Sequence, residues 1–389
     1  MENQNTINSL LAAAKTVFRV LFKFLLLVPI PLFMMWFNFT VDRSGYFQGD
    51  QFEREVAAAL LEGKDLSHYE KMDERQILKL YVQNLPEDQV PNTVALGSSR
   101  ILQMSAGIAQ APSFFNAGMI GADIRDVMNS LYLFVRADKV PKNVIIGIDP
   151  WLFSPSPEAL DYRTDVELYQ EFLSEALGHS SDYKAPDPVD LWKVITDPAY
   201  FQGNVEYYFR DKSNEKHPTV VEEDDLYHQD TEVKLRDGSV LYTEEFRNWS
   251  EDQVNGMATM QADSISVPYH FPELPQDRLE LFDEFIQYGQ THGVNFVFVL
   301  IPYHPLSYTR LLDNLQKVPN GEGFLMIEPW LKDYAQKHGI PLYGSYNPFV
   351  LGLTSDDFYD GLHCRGTGIK KIFPGMYTIL LQQSGAALA

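Results

Sequence analysis

Short apolar runs bounded by polar residues recur along the chain. Those at 93–97, 114–116 and 144–149 are too short for helices and predict buried strands. A further run at 295–301 has the same character. Because parallel strands are covered on both faces, nearly continuous apolar runs are typical of a parallel sheet.

Segments with apolar residues at helical spacing alternate with these strands. One covers 120–134, another centres on Phe282 and Ile286, and a closing helix is predicted over 369–380. Strands that alternate with helices predict an α/β fold with a doubly wound parallel sheet.

Two further regions depart from this pattern. Residues 51–85 show helical spacing and lack Gly/Ser/Pro runs, so 42–90 is predicted to be a helical stalk that packs against the domain. Residues 151–272 interrupt the alternation with many aromatic residues and a turn at Asp237-Gly238. We expect a long insertion after the third strand, mostly helical with one hairpin, of the kind that often acts as a lid.

The N-terminus carries an apolar run at 24–41, which as a helix would reach about 27 Å, close to the thickness of a bilayer core. Lys15, Arg19 and Lys23 precede it, so the positive-inside rule predicts a single-pass anchor with residues 1–23 in the cytoplasm and the C-terminal domain outside. A cleaved signal peptide and a buried core helix are the alternatives.

Composition narrows the choice of partners and cofactors. The formal net charge is -22 and the isoelectric point is about 4.7, which argues against binding to a nucleic acid, whose phosphates require a basic surface. Cys364 is the only cysteine in the sequence, so an internal disulfide and a cysteine-rich zinc site are excluded. The sequence gives no reason to expect a metal or another cofactor.

Two short motifs lie at opposite ends of the region 91–389. Gly97-Ser98-Ser99-Arg100 follows the first predicted strand, and Asp360-Gly361-Leu362-His363 precedes the closing helix. Together they offer a nucleophile, a base and an orienting carboxylate, the residue types that nucleophilic catalysis requires. The same motifs are also compatible with a serine N-cap and a solvated turn.

This pair of motifs resembles the SGNH/GDSL hydrolase superfamily, over roughly residues 90 to 385. Within the superfamily, the chain resembles membrane-anchored cell-envelope members such as alginate O-acetyltransferases and D-alanyl transfer proteins. The resemblance implies a flavodoxin-like sheet and the catalytic residues Ser99, Asp360 and His363. If Ser99 caps the turn instead, Ser98 becomes the nucleophile.

One departure from the superfamily concerns the oxyanion. Its third motif supplies an Asn donor, whereas this chain has Gly147-Ile148-Asp149-Pro150 there. We therefore expect the Asn116 side chain, with backbone N–H groups near Ser99 and Gly118, to hold the oxyanion. Ser98, Arg100, Asp149 and His304 are expected to line the pocket.

Two of these pocket residues have alternative roles. Arg100 is predicted to pair with Asp149 or to orient an anionic substrate group. His304, flanked by prolines, is either structural or a replacement base.

The expected function is acyl-ester chemistry, either O-acetyl transfer or ester hydrolysis, on an envelope or exported polysaccharide. Expected partners are the lipid bilayer and the polysaccharide or acyl-ester substrate, with a polysaccharide-synthesis complex as a further candidate. A non-catalytic polysaccharide-binding or scaffold protein is the alternative from another class, since the Asn is missing at 149. A peptide-directed hydrolase is a third alternative.

Overall fold

The computed structural model describes residues 14–19, 22–23, 27–47, 49–68, 73–111, 113–155, 163–180, 184, 187–210, 217–264, 269 and 271–383. The chain forms two compact units. The smaller unit combines 1–51 with 185–216, and the larger unit combines 52–184 with 217–389.

The strands in chain order are β1 Asp65–Ser67, β2 Thr93–Leu96, β3 Phe114–Asn116, β4 Asn143–Gly147, β5 Thr219–Val221, β6 Val233–Lys234, β7 Val240–Leu241, β8 Asn295–Leu300 and β9 Leu342–Gly344. The α-helices are α1 Pro29–Val41, α2 Gln51–Leu61, α3 Glu74–Asn84, α4 Ala106–Ala109, α5 Ile124–Arg136, α6 Val166–Glu171, α7 Leu191–Thr196, α8 Pro198–Arg210, α9 Glu244–Arg247, α10 Glu251–Gln261, α11 Gln276–Thr291, α12 Pro305–Leu315, α13 Gly323–His338, α14 Gly366–Ile372 and α15 Met376–Gln383.

The larger unit is built on a five-stranded parallel sheet in the order β3-β2-β4-β8-β9. Alternate residues of its strands enter two separate cores. Val94 and Ile146 pack in one core with residues of α5, α11 and α13, whereas Ala95 and Ile145 pack in the other with residues of α14 and α15. Helices therefore cover both faces, and the predicted parallel α/β sheet is confirmed.

An additional antiparallel sheet has the order β5-β1-β6-β7. Its strand β1 lies within 51–85, so the prediction of helix throughout that segment is wrong at 65–67. The three side chains of β1 are buried between two partner strands, and this pairing overrides the local helical pattern. The predicted hairpin is present as β6 and β7, with Gly238 at a positive φ in its turn.

Two predicted helix boundaries are also corrected. Helix α5 begins at Ile124 because Asp123 forms a capping box, which leaves Ile120 exposed outside the helix. The predicted closing helix is divided into α14 and α15. Pro374 and Gly375 lie between them, and Gly375 has a φ of 86°, which a continuing helix does not allow.

The smaller unit joins the N-terminal region to part of the insertion, since α1 packs against α7 and α8. The rest of the described insertion belongs to the larger unit, so 151–272 does not form a single lid. Of the predicted anchor 24–41, residues 24–26 lie outside the described residues, as do 1–13. Within the described ranges, no helix combines the length and apolar character needed to cross a membrane.

Candidate active site

Ser99 lies just beyond the carboxyl end of β2, where ligands bind in open α/β sheets. It begins a short 3-10 turn, Ser99–Ile101, and Ser98 caps this turn by accepting the N–H of Arg100 at 3.2 Å. The hydroxyl of Ser98 also contacts Asp149. Of the two serines, Ser98 therefore caps the turn, and the hydroxyl of Ser99 is not used in capping.

The Ser99 hydroxyl meets His363, with 2.9 Å between Oγ and Nε2. On the other side of the ring, Nδ1 lies 2.9 Å and 3.0 Å from the two carboxylate oxygens of Asp360. An anionic carboxylate accepts the Nδ1–H and so leaves Nε2 as the acceptor for the serine proton. The structure thus brings Ser99, His363 and Asp360 together in the order that a proton relay requires.

The turn after Asp360 fixes this contact locally. The backbone N–H groups of Leu362 and His363 both donate to Asp360 Oδ1 at 2.8 Å. Burial alone would raise the pKa of Asp360, but the charge and hydrogen bond of His363, with these backbone donors, hold that pKa below its ordinary value. Asp360 is therefore an anion that can orient the ring and stabilise its protonated form.

Gln261, the last residue of α10, is a further member of the site that the sequence analysis missed. Its Nε2 donates to Asp360 Oδ2 at 3.1 Å, and its Oε1 accepts the N–H of Gly361 at 2.9 Å. A Cβ on Gly361 would lie 2.7 Å from Gln261 Oε1 and would collide with Ser307 Oγ. Glycine at 361 therefore permits the approach of α10.

Arg100 is buried and makes the predicted ion pair with Asp149, with Nη1 and Oδ1 2.9 Å apart. Burial raises the pKa of Asp149, and the charge of Arg100 and the hydroxyl of Ser98 oppose this. The same guanidinium donates to the carbonyl oxygens of Leu362, at 3.1 Å, and Pro302, at 2.9 Å. Arg100 therefore ties together segments around the site, and its donors are not directed at a substrate.

His304 is also buried, and it caps α12 by accepting the N–H of Leu306 on Nδ1 at 3.2 Å. Its Nε2 is buried and has no hydrogen-bond partner in the described part of the chain. Burial lowers the pKa of His304 to about 4, against a smaller opposing effect of Asp360. This favours the structural role over the replacement base, since the imidazole that contacts Ser99 is His363.

The structure corrects the expected oxyanion donors. Asn116 Nδ2 donates to the carbonyl oxygens of Ile101 at 2.8 Å and Met104 at 2.9 Å, and its Oδ1 accepts the N–H of Gly118 at 2.9 Å. The donors of Asn116 and Gly118 are thus already engaged, and they hold the segment that follows Ser99. The sequence identified Asn116 as a hydrogen-bond donor, but it did not show that the carbonyl groups of Ile101 and Met104 accept its hydrogen bonds.

The N–H of Ser99 is the remaining donor beside the nucleophile. In its turn, the N–H of Ile101 binds the carbonyl of Ser98 at 3.1 Å, and the N–H of Arg100 binds the Ser98 hydroxyl. No acceptor among the described residues takes the N–H of Ser99. First-turn N–H groups of this kind are available to an anion.

A chain of aromatic residues from the insertion leads to the histidine. The Tyr242 ring meets His363 at 5.9 Å, and Phe246 packs on Tyr242 at 5.1 Å. Phe246 in turn meets Trp249 at 4.6 Å, and both of these rings remain partly exposed. The insertion therefore adds an accessible aromatic surface near His363.

A separate shallow pocket lies beside residues 115–119 and is bordered by apolar residues of α2 and α3. It also contains Glu74 and Lys234, whose charged atoms are 3.8 Å apart. Its lining does not include Ser99, Asp360 or His363, so it is distinct from the proton relay.

No protein-family model matches the chain, and no curated protein is significantly similar to it.

Proposed function

We propose that this protein is a serine-dependent acyl-ester enzyme of the SGNH type that transfers or removes O-acetyl groups on an envelope or exported polysaccharide. The observation that carries the proposal is the 2.9 Å contact between Ser99 Oγ and His363 Nε2, with Asp360 on the other ring nitrogen. The sheet order supports it, since β3-β2-β4-β8-β9 is the flavodoxin-like order 2-1-3-4-5.

In the first half-reaction, His363 takes the proton of Ser99 as Oγ bonds to the ester carbonyl carbon. The carbonyl electrons move onto oxygen, and the N–H of Ser99 donates to the resulting oxyanion. Collapse of this intermediate breaks the bond to the leaving alcohol, which receives the proton from His363. The product is an acyl group on Ser99.

In the second half-reaction, a hydroxyl group or water attacks the acyl carbon and gives its proton to His363. Ser99 then leaves and recovers that proton. A sugar hydroxyl gives transfer, whereas water gives hydrolysis, so the acceptor decides between the two reactions. Asp360 stays ionised throughout and stabilises the imidazolium.

The aromatic surface next to His363 supports a carbohydrate substrate. Sugar rings present C–H faces that pack on aromatic side chains, and Phe246 and Trp249 remain partly exposed for such contacts. The acidic net charge of -22 disfavours a polyanion such as a nucleic acid.

The proposed location is a membrane, with a single-pass anchor at 24–41 and the catalytic domain outside the cytoplasm. The apolar run and the preceding Lys15, Arg19 and Lys23 support this. A reporter fused after Ala389 tests it, because only a reporter that works outside the cytoplasm should be active.

A non-catalytic polysaccharide-binding role is the second candidate, and one observation favours it. Asp149 is paired with Arg100 where the superfamily places an Asn donor, and the Asn116 amide is already engaged. This leaves the oxyanion without a side-chain donor among the residues considered above. A binding protein needs no such donor.

Labelling with a fluorophosphonate probe distinguishes the two candidates. Wild type should be labelled at Ser99, and Ser99→Ala should lose both the label and esterase turnover, the latter by about 10³-fold or more. Ser98→Ala should still be labelled at Ser99, because the hydroxyl of Ser98 contacts Asp149 and the N–H of Arg100. A folded wild type that takes no label, yet binds polysaccharide, would establish the non-catalytic role.

A further inference from the structure

Helix α1 is joined to the insertion by buried polar contacts within the smaller unit. Asn38 is fully buried, and its Nδ2 donates to the carbonyl oxygens of Ile195 at 3.0 Å and Asp197 at 3.3 Å. Its Oδ1 accepts from Asn204 Nδ2 at 3.0 Å. This polar residue of the apolar run is therefore satisfied by α7, α8 and the residue between them.

A second contact fixes the end of α1 to the same helices. Asp42 accepts the hydroxyl of Tyr200 at 2.7 Å and the N–H groups of Tyr46 and Phe47 at 2.9 and 2.7 Å. Because these buried polar groups satisfy one another, α1, α7 and α8 form one packed body.

Away from these contacts, the unit presents a continuous row of aromatic rings. Phe33 meets Trp36 at 5.7 Å and Phe37 at 5.9 Å, Phe37 meets Tyr208 at 5.7 Å, and Tyr208 meets Phe209 at 5.3 Å. The exposed fractions are 53% for Phe33, 58% for Trp36, 50% for Tyr208 and 74% for Phe209. The row crosses from α1 to α8, so the insertion extends the apolar surface of the N-terminal helix.

The distribution of exposed apolar residues on α1 indicates what covers this surface. At about 100° per residue, they spread over about half of the helix circumference. These residues are Ile30, Leu32, Phe33, Trp36 and Phe39. A partner helix would need only a narrow stripe, whereas an acyl-chain environment accommodates a broad apolar surface. The row also contains Trp36 and Tyr208, and Trp and Tyr are enriched at membrane interfaces.

We propose that α8 of the insertion docks into the lipid bilayer together with α1, through the row of rings that ends at Phe209. The proposal rests on the membrane location proposed above and goes beyond it, because α8 then contacts lipid as well as the N-terminal run. Lys15 and Arg19, both exposed, precede the apolar helix and favour anionic headgroups.

The test uses the full chain in vesicles of phosphatidylcholine and phosphatidylglycerol, with and without brominated acyl chains. Bimane is attached to a cysteine introduced by Phe209→Cys, Tyr208→Cys or Leu32→Cys, one position at a time. Tyr377→Cys is the matched control, since Tyr377 is 65% exposed in the larger unit. Cys364 is buried, so wild type treated with the same bimane reagent should show little labelling, and this gives the background.

We expect brominated lipid to quench bimane at positions 209, 208 and 32 but not at 377. Quenching at 32 without quenching at 209 and 208 would overturn this inference while leaving the anchor intact. Absence of quenching at all three positions would refute the membrane location as well. Protection of position 209 in native membranes but not in vesicles would show a membrane protein as the partner, which also overturns the proposal.

Discussion

The carboxamide of Gln261 donates to the carboxylate of Asp360 at 3.1 Å, so a helix of the insertion helps to orient the group that orients His363. The same carboxamide accepts the N–H of Gly361, and both contacts together fix its rotation. Because the sheet carries Ser99 and α10 carries Gln261, the insertion is part of the catalytic geometry proposed here.

Gln261→Leu should lower kcat on a small acetyl ester by about 10-fold or more, because a hydrogen bond to a charged group contributes roughly 1.5–3 kcal/mol. KM should change little, since Gln261 acts through Asp360. Steady-state kinetics measures both constants. Met260→Leu, an exposed change on the same helix, is the control. Equal kcat values in the two variants would show that Asp360 is oriented without Gln261.

The strands could be predicted because their signals are local, whereas the grouping of Ser99 with Asp360 and His363 was predicted from the resemblance of two distant motifs to a superfamily. Strands β2, β3, β4 and β8 are short apolar runs, and Asp360 lies three residues from His363. Strand β9 was missed because it has three residues, all only partly buried. Gln261 was missed because it meets Asp360 across 99 residues of sequence and belongs to no motif.

The role of Asn116 shows a different limit of the sequence. Its position at the end of β3 could be predicted, but the direction of its amide depends on the carbonyl groups of Ile101 and Met104. Those groups lie 15 and 12 residues away in a turn whose path is set by packing. A local pattern therefore identifies the donor but not its acceptor.

Asn116→Ala should mainly destabilise the fold, by about 2–4 kcal/mol, because it leaves buried carbonyl groups and the N–H of Gly118 unpaired. Urea unfolding followed by circular dichroism measures the change. Asn116→Asp is the informative companion, since it keeps the acceptor for Gly118 but loses both donated bonds. If Asn116→Ala instead keeps full stability and lowers turnover by about 10² to 10³-fold, Asn116 is an oxyanion donor.

Trp249→Ala should raise KM for a polysaccharide substrate while leaving turnover of a small acetyl ester nearly unchanged. The reason is that Trp249 packs on Phe246, which is linked to His363 only through the ring of Tyr242. Loss of one stacked ring should cost about 0.5–1.5 kcal/mol, or roughly 2- to 10-fold in affinity. Trp192→Ala, in the smaller unit, provides the control. Equal effects on both substrates would place Trp249 in the fold rather than in substrate binding.

His304 should make the stability of the protein depend on pH between about 4 and 6.5. Burial lowers its pKa to about 4, whereas in the unfolded chain the pKa is about 6.5. Within this window the unfolded state binds more protons, so stability rises with pH, and the full effect is at most about 3 kcal/mol. Below the window both states are protonated and the slope disappears.

The cause of this effect is the buried Nε2, which would carry a charge without a hydrogen-bond partner among the described residues. His304→Asn removes the titration but keeps an acceptor for the N–H of Leu306, so the cap of α12 should survive. Urea unfolding of both proteins from pH 4 to pH 7 should give a flatter stability profile for the variant. Parallel profiles would mean that His304 is protonated alike in both states, and the structural role assigned to its neutral form would be wrong.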